Sequence, residues 1–316
     1  MANPTFSTHL GMVDILPGEV EKWQFIESRI RDIARTFHFR EIRTPFLEDT
    51  GLIARGVGKT TDIVSKELFA FERGDDRYVL RPEGTASVCR AYIEHNLHLK
   101  GGVQKFFYMG PMFRAERPQK GRQRQFHQFG AEIMGSADPL ADAEIIAFMV
   151  ALYHSLGIKN TSLRLNSVGD PESRDAYKKA LVEYFRPNVN LLSDISQKRL
   201  ETNPMRILDS KEPEDQVLIE SAPIITEYLN EESAKHLRQV QKHLDRLGIE
   251  YVEDPRLVRG LDYYTRTAFE LSSPDLGSQD ALGGGGRYDL LIEELGGPAT
   301  PSVGFAAGLE RLMIAC

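Results

Sequence analysis

The sequence FRAERPQKGRQRQFHQFG, residues 113–130, is the most informative stretch of this chain for predicting its fold. Its central part, 114–124, contains five basic residues and one acidic residue and reads as a loop. On both sides of this loop apolar and polar residues alternate, which is typical of β-strands. We therefore interpret residues 104–114 and 125–134 as two strands of one long hairpin, joined by a basic loop.

The second strand of this hairpin has two different faces. Because successive side chains of a strand point to opposite sides, one face carries Phe126, Gln128, Gly130 and Glu132. The opposite face is mostly apolar and is expected to pack on the core. The hairpin therefore offers a polar surface beside a cluster of cations.

The rest of the chain supplies helices and further strands around this hairpin. Apolar spacing and capping residues predict helices at 19–37, 85–96, 139–156 and 288–295, and another that begins at Gly308. The expected strands are 39–43, 77–81, 257–271 and 302–306, with a glycine-rich stretch at 281–287. Between about 170 and 250 the pattern is helical with acidic connections, which indicates an inserted subdomain.

The composition is that of an ordinary globular protein. The chain has 316 residues, of which 41% are hydrophobic and 27% are charged, and this balance excludes disorder as its main state. No apolar run is long enough for a membrane span, and the start does not resemble a signal peptide. Only two cysteines occur, which excludes a disulfide framework and a cysteine-based zinc site. We expect a cytoplasmic protein.

The net charge of −7 comes from one segment. Residues 209–232 hold eight acids and one base, so the remaining chain is balanced, whereas the loop 114–124 has a net charge of +4. Salt screens charges beyond about 10 Å. The local basic loop is therefore a better indicator of a phosphate ligand than the sum over the whole chain.

Three arginines lie on or beside expected central strands. Arg114 ends the first hairpin strand, Arg259 lies in the expected strand 257–271, and Arg311 follows the last strand. Arginine is rarely buried without a partner, and strand glycines allow a ligand to approach the backbone closely. Each arginine alone fits a structural ion pair, but together they favour a polyanion bound in a cleft on the sheet.

Several stretches of this chain resemble the histidyl-tRNA synthetase family of class II aminoacyl-tRNA synthetases. LRPEGT at 80–85 is similar to the amino-acid-binding turn, and residues 113–130 are similar to motif 2. LVRGLDYYTRTAFE at 257–270 and ALGGGGRYDLL at 281–291 are similar to the two histidine-specific motifs. VGFAAGLERL at 303–312 is similar to motif 3. The helix and strand that end at Pro45 resemble motif 1. The resemblance extends over nearly the whole chain.

The resemblance implies an α+β fold, with an antiparallel sheet flanked by helices. It divides the chain into a first catalytic part at 1–169, a helical insertion at 170–252 and a second catalytic part at 253–316. The insertion would contact the acceptor arm of tRNA, and motif 1 would form a homodimer interface. The family continues into an anticodon-binding domain, which we expect to be absent from this chain.

The implied reaction joins histidine and ATP, with Mg²⁺, to give histidyl-adenylate and pyrophosphate, and then passes histidine to its tRNA. The resemblance gives Arg259 and Arg114 as catalytic cations. It implies an ATP site of Arg114, Glu116, Arg122, Phe126 and Arg311. It implies a histidine site of Glu83, Thr85, Gln128, Glu132, Arg259, Tyr263, Tyr264 and Tyr288. No residue is assigned as a metal ligand.

Two alternatives remain. A paralogue of this family is a histidine-sensing regulatory subunit of ATP phosphoribosyltransferase, and it typically loses catalytic residues. Arg114, Arg259 and Arg311 are all present here, which favours the enzyme. Another class II synthetase is disfavoured by LVRGLDYYT at 257–265.

Overall fold

The computed structural model describes residues 5–58, 61–119, 121–276 and 280–316, with the side chains of 62 and 65 left out. Its strands are β1 (Arg40–Glu41), β2 (Leu47–Asp49), β3 (Ala70–Arg73), β4 (Asp76–Leu80), β5 (Gln104–Phe113), β6 (Gln125–Met134), β7 (Ser162–Ser167), β8 (Val252–Glu253), β9 (Thr265–Ser272), β10 (Ala281–Arg287) and β11 (Ser302–Gly308). The α-helices are α1 (Val20–Thr36), α2 (Thr50–Val57), α3 (Asp62–Lys66), α4 (Thr85–Glu94), α5 (Pro139–Ser155), α6 (Pro171–Phe185), α7 (Asp194–Thr202), α8 (Pro213–Ile219), α9 (Glu231–Leu247), α10 (Leu291–Glu294) and α11 (Leu309–Ala315).

An eight-stranded sheet organises these elements in the order β1-β5-β6-β11-β10-β9-β7-β8, and β2, β4 and β3 form a second, smaller sheet. The six central strands of the large sheet are antiparallel, whereas β1 pairs with β5 and β8 with β7 in parallel. The α+β class is thus confirmed. The expected antiparallel sheet flanked by helices is also confirmed, and at each of its edges a two-residue strand pairs in parallel.

The long hairpin is confirmed as β5 and β6, which pair over their full lengths from Gln104 opposite Met134 to Phe113 opposite Gln125. Phe129, Ala131 and Ile133 are fully buried, as the apolar face predicted. The predicted cap of the following helix is also present, since the Asp138 side chain accepts a hydrogen bond from the Leu140 amide.

The two faces of the large sheet carry different layers. One face packs on α1, α5 and α9, through residues such as Ile30, Ile146 and Val240. The other face includes Tyr108, Tyr263 and Tyr288 and continues into the helices that follow β7. Successive side chains of a strand point to opposite faces of the sheet. In β5, for example, Phe107 packs in the hydrophobic cluster on one face and Phe106 in the cluster on the other.

Residues 257–264 do not form the strand that the sequence predicted, and β9 begins only at Thr265. The backbone there is held instead by donors from distant helical residues. Arg174 Nη1 donates to the carbonyls of Asp262 and Tyr264, and Arg206 Nη2 donates to the carbonyl of Gly260. Arg259 therefore lies on a loop. Further differences include the strands β2, β3, β7 and β8, which were not predicted, and the glycine-rich stretch, which is strand β10.

The helical character of the segment after residue 170 is present in α6 to α9. However, α9 packs on the core, because Leu237, Val240 and Leu244 belong to the same cluster as α5. We therefore propose that the insertion ends near residue 230 rather than at 252. Among the described helices, none is both long and apolar enough to span a bilayer.

Candidate active site

A cleft of about 460 Å³ lies on one face of the large sheet, and residues of β6, β9, β10 and β11 line it. Its walls include the basic loop and residues of the insertion. Twelve of the thirteen residues predicted from the sequence line it: Glu83, Thr85, Arg114, Glu116, Arg122, Phe126, Gln128, Arg259, Tyr263, Tyr264, Tyr288 and Arg311. The thirteenth, Glu132, lies behind the wall and has no exposed surface.

Arg114 is the first residue of the hairpin loop, directly after β5. Its Nε donates to the carbonyl of Pro82 at 3.0 Å, and its guanidinium lies 5.2 Å from the centre of the Phe126 ring. Burial lowers the pKa of Arg114, although Glu116 and Glu67 act in the opposite direction. Arg114 thus joins the LRPEGT turn to the hairpin and covers one face of Phe126.

Arg259 reaches the cleft from the other side. Its Nη1 donates to Glu270 Oε2 at 2.5 Å, and both side chains are mostly buried. Burial by itself would lower the pKa of Arg259, but the neighbouring Tyr264 and Glu270 raise it above its ordinary value. The guanidinium packs against bare backbone, because a Cβ added at Gly284 would come within 2.7 Å of Nη2.

The basic loop and motif-3-like helix close the third side. Arg122 Nη1 lies 3.5 Å from Glu116 Oε2, and Arg311 Nη1 donates to the carbonyl of Ala281 at 2.7 Å. Burial and the charge of Arg122 lower the pKa of Arg311. Arg122 and Arg311 therefore belong to one cationic wall.

A buried carboxyl group lies behind the wall of the cleft. Glu132 accepts hydrogen bonds from the Thr85 hydroxyl at 2.8 Å and the Tyr288 hydroxyl at 2.5 Å. Burial raises its pKa to about 8, even though these hydroxyls favour the carboxylate. Only glycine fits at position 304, where a Cβ would lie 1.6 Å from Glu132 Oε2.

Glu83 lies at the start of α4, where it meets helix amides. Its two oxygens accept from the backbone N–H groups of Thr85 at 2.7 Å and Ala86 at 2.8 Å. Burial raises its pKa, and these two hydrogen bonds lower it in part. The helix N-terminus therefore fixes the direction of the Glu83 carboxyl group.

The sequence analysis missed several residues of the cleft. The missed wall residues include Arg199, Arg206, Asp209 and Glu270. Glu270 was detectable as an acid in the apolar run TAFEL, whereas Arg199, Arg206 and Asp209 reach the cleft only through the packing of the insertion. Tyr108, behind the cleft, was also missed, and its signal was the glycine opposite it on the partner strand, Gly130.

Comparisons with known proteins agree with this geometry. The family model for histidyl-tRNA synthetase matches residues 11–312. A histidine–tRNA ligase from Desulforamulus reducens is 54% identical over 305 residues, which are 96% of this chain and 73% of that protein. The chain belongs to the histidyl-tRNA synthetase family.

Solved structures of other proteins share the fold. The apo histidyl-tRNA synthetase of S. aureus is 42% identical and has a TM-score of 0.79, and the match covers 98% of this chain and 73% of that one. An ATP phosphoribosyltransferase regulatory subunit/histidyl-tRNA synthetase from Bacillus halodurans is 24% identical, with a TM-score of 0.73 and coverage of 99% and 83%. At that identity the second likeness concerns the fold alone.

Proposed function

We propose that this chain activates histidine with ATP, giving histidyl-adenylate and pyrophosphate, and then transfers histidine to the 3′ end of its tRNA. The observation that carries the proposal is the meeting, in one cleft, of Arg114, Arg259 and Arg311 with the pocket above Glu132 and Tyr288. This combination suits a polyphosphate and a small polar ring at adjoining positions.

The first step needs positioning and charge stabilisation more than acid–base chemistry. The histidine carboxylate is already an anion, so it can attack the α-phosphorus without a general base. We assign Arg114 and Arg259 to the α-phosphate, since they stand on opposite sides of the cleft. Guanidinium groups bind phosphate oxygens well, and fixed donors stabilise the charge of the transition state.

The remaining ATP contacts follow from the walls of the cleft. We assign Arg311 and Arg122 to the distal phosphates, Phe126 and Arg311 to the two faces of the adenine, and Glu116 to its amino group. In this structure Arg114 lies over Phe126. Adenine stacking on that face therefore requires Arg114 to turn toward the phosphates.

The imidazole pocket is assigned to Glu132, Tyr264, Tyr263 and Tyr288. Tyr288 already bonds to Glu132, and the rings of Tyr263 and Tyr288 meet edge to face at 5.7 Å. The Glu132 carboxyl group reads one ring nitrogen and Tyr264 the other. An apolar amino acid would leave these buried groups unpaired, which is a strong basis for rejection.

The α-ammonium group of histidine is assigned to Glu83, Thr85 and Gln128. All three are buried side chains on the cleft wall. Gln128 Oε1 is a buried acceptor without a hydrogen-bond partner among the described residues. An ammonium donor at this place would satisfy it.

Mg²⁺ is proposed as a companion of the ATP phosphates. In the described part of the chain, no three His, Cys, Asp or Glu side chains form a metal-binding group. Glu116 and Glu270, two carboxylates of the cleft, already pair with Arg122 and Arg259. These residues do not supply a ready site, so no step is assigned to the metal. We also propose a homodimer and a cytoplasmic location.

The proposal is tested by ATP–pyrophosphate exchange, run with each of the twenty amino acids. We expect exchange with histidine and none above background with the other nineteen. A chain that binds histidine without exchange would instead be a regulatory subunit. Exchange driven by a different amino acid would reject the assignment of the pocket.

A further inference from the structure

Glu270 links the cleft to the edge of the sheet. Its Oε2 accepts from Arg259, and its Oε1 accepts from Arg164 Nη2 on the neighbouring strand β7. Arg164 Nη1 lies 3.5 Å from Asp254 Oδ2. Four alternating charges, Asp254, Arg164, Glu270 and Arg259, thus form a continuous row, called here the charge row.

Both ends of the charge row belong to the same connection between β8 and β9. Asp254 opens this connection: its carbonyl accepts from the Leu257 amide at 2.9 Å and its side chain from the Arg256 amide at 3.1 Å. Its own amide donates to Leu165 of β7 at 3.0 Å. The charge row therefore links the start of this connection, at Asp254, and the side chain of Arg259 to the paired strands β7 and β9.

Arg259 needs such a support because it lies on a loop. A long side chain on a loop has many rotamers, and fixing it in one of them costs conformational entropy. Glu270 stands directly opposite Gly284 in the sheet register, and the Arg259 guanidinium lies against that glycine. The carboxylate holds one end of the guanidinium, and the bare backbone of Gly284 gives it the space to lie there.

Glu270 leaves most of the guanidinium available. It takes only Nη1, and Nε of Arg259 is buried without a hydrogen-bond partner among the described residues. Arginine presents five donors in a planar fork. Arg259 lines the cleft, so a phosphate that approaches from there can use guanidinium donors that Glu270 does not take.

We propose that Glu270 is a positioning residue for Arg259 and that Arg164 anchors Glu270 from behind. The proposal rests on the proposed function, in which Arg259 stabilises the charge that develops on the α-phosphate. Glu270 acts through Arg259 and does not itself contact ATP or a metal ion. Its role is to hold the cation before the substrate arrives.

The test compares Glu270→Gln, Arg259→Ala and the double variant in histidine-dependent exchange. Glu270→Gln keeps an acceptor but loses the charge, so we expect kcat to fall roughly 10- to 100-fold, in line with a charge-assisted hydrogen bond. KM for ATP and histidine should change little. In the Arg259→Ala background, Glu270→Gln should cause no further loss. The control is Glu253→Gln, which removes an exposed carboxylate from the neighbouring strand β8.

Several outcomes would overturn the positioning role. They are a kcat for Glu270→Gln equal to that of the wild type, a full additional loss in the Arg259→Ala background, or a shifted Mg²⁺ requirement, which would make Glu270 a metal ligand. If Glu270→Gln does not fold, Arg164→Met provides the test, with a smaller fall in kcat expected and an unchanged rate contradicting the anchor. A wild-type chain without any histidine-dependent exchange would reject the proposed function itself.

Discussion

At the scale of the residue, Glu132 has the most unusual environment. The hydrogen-bond donors that the described structure gives it are hydroxyl groups, those of Thr85 and Tyr288. A buried carboxyl group without a cation prefers to keep its proton. In the proposed reaction the imidazole of histidine supplies the missing partner. The surroundings of the Glu132 carboxyl group therefore favour the binding of histidine at the expense of the stability of the fold.

Glu132→Gln is expected to stabilise the fold in a pH-dependent manner. The pKa of Glu132 is about 8 in the folded chain, against about 4.3 for an unfolded glutamate. Its contribution to stability is therefore complete below about pH 4 and is lost as the pH rises through about 8. Glutamine cannot ionise, so the melting temperature of the variant should exceed that of the wild type by more at pH 8 than at pH 5, by at least roughly 2–4 °C at pH 8.

Thermal unfolding followed by circular dichroism measures this difference. The exposed Glu253→Gln is the control for the loss of a carboxyl group elsewhere. A melting-temperature difference that does not grow between pH 5 and pH 8 would contradict the protonated state of Glu132.

At the scale of the element, local signals predicted the hairpin well and the loop 257–264 poorly. The alternation of apolar and polar residues and the Asp138-Pro139 cap are local sequence signals. The sequence therefore predicted β5, β6 and α5. The path of residues 257–264 depends on Arg174 and Arg206, which are distant in sequence. No propensity of the segment itself encodes those donors.

The same holds for the pair that fastens β10 to α5. Arg287 and Asp142 have no exposed surface, and Arg287 also donates to the carbonyls of Ser136 and Asp138. Burial by itself would raise the pKa of Asp142, but Arg287 and His236 hold it well below its ordinary value. The sequence analysis placed Arg287 at the end of a glycine-rich stretch and could not identify its partner 145 residues away.

Asp142→Asn is expected to cost about 3 kcal/mol of unfolding free energy, because it leaves the buried charge of Arg287 with only the partly exposed Asp289 as a counter-ion. Urea unfolding gives the value. The matched control is Glu72→Gln, which breaks an exposed pair with Arg77 and should cost about 0.5 kcal/mol or less. A loss no larger than that of the control would show that the buried pair does not fasten β10.

At the scale of the whole molecule, exposed apolar side chains concentrate in the first third of the chain. Within the described ranges, ten of the seventeen large exposed hydrophobics lie before residue 104. Phe25 on α1 and Phe46 after β1 are 56% and 51% exposed, and both lie in or beside the segment that resembles motif 1. Such surfaces often mark protein–protein contacts, and this distribution supports the proposed homodimer.

Sedimentation equilibrium tests the homodimer directly. We expect a mass twice the 35.7 kDa of one chain. Phe25→Lys should weaken the dimer, because it places a charge in an apolar contact, whereas Leu247→Lys, a change at a similarly exposed residue at the end of α9, should not. A monomer at all concentrations, or equal weakening by both variants, would contradict this surface.

Net charge was the least informative property at this scale. The value of −7 came from residues 209–232, whereas the basic loop 114–124 lies at the cleft. Composition alone could not distinguish these two places. The fold brought the predicted arginines together and added Glu270 and Asp209, of which Asp209 reaches the cleft only through the packing of the insertion.

The most direct test of the central claim, that fixed arginines activate histidine without a general base, is the rate of histidine-dependent ATP–pyrophosphate exchange by Arg259→Ala. We expect a fall of about 10²- to 10³-fold, the usual loss when one transition-state donor is removed, with a melting temperature near that of the wild type. Arg77→Ala, at a highly exposed position on β4, serves as the control. A rate for Arg259→Ala within about twofold of the wild-type rate would contradict the account, because the loss of a transition-state donor should lower the rate far more than that.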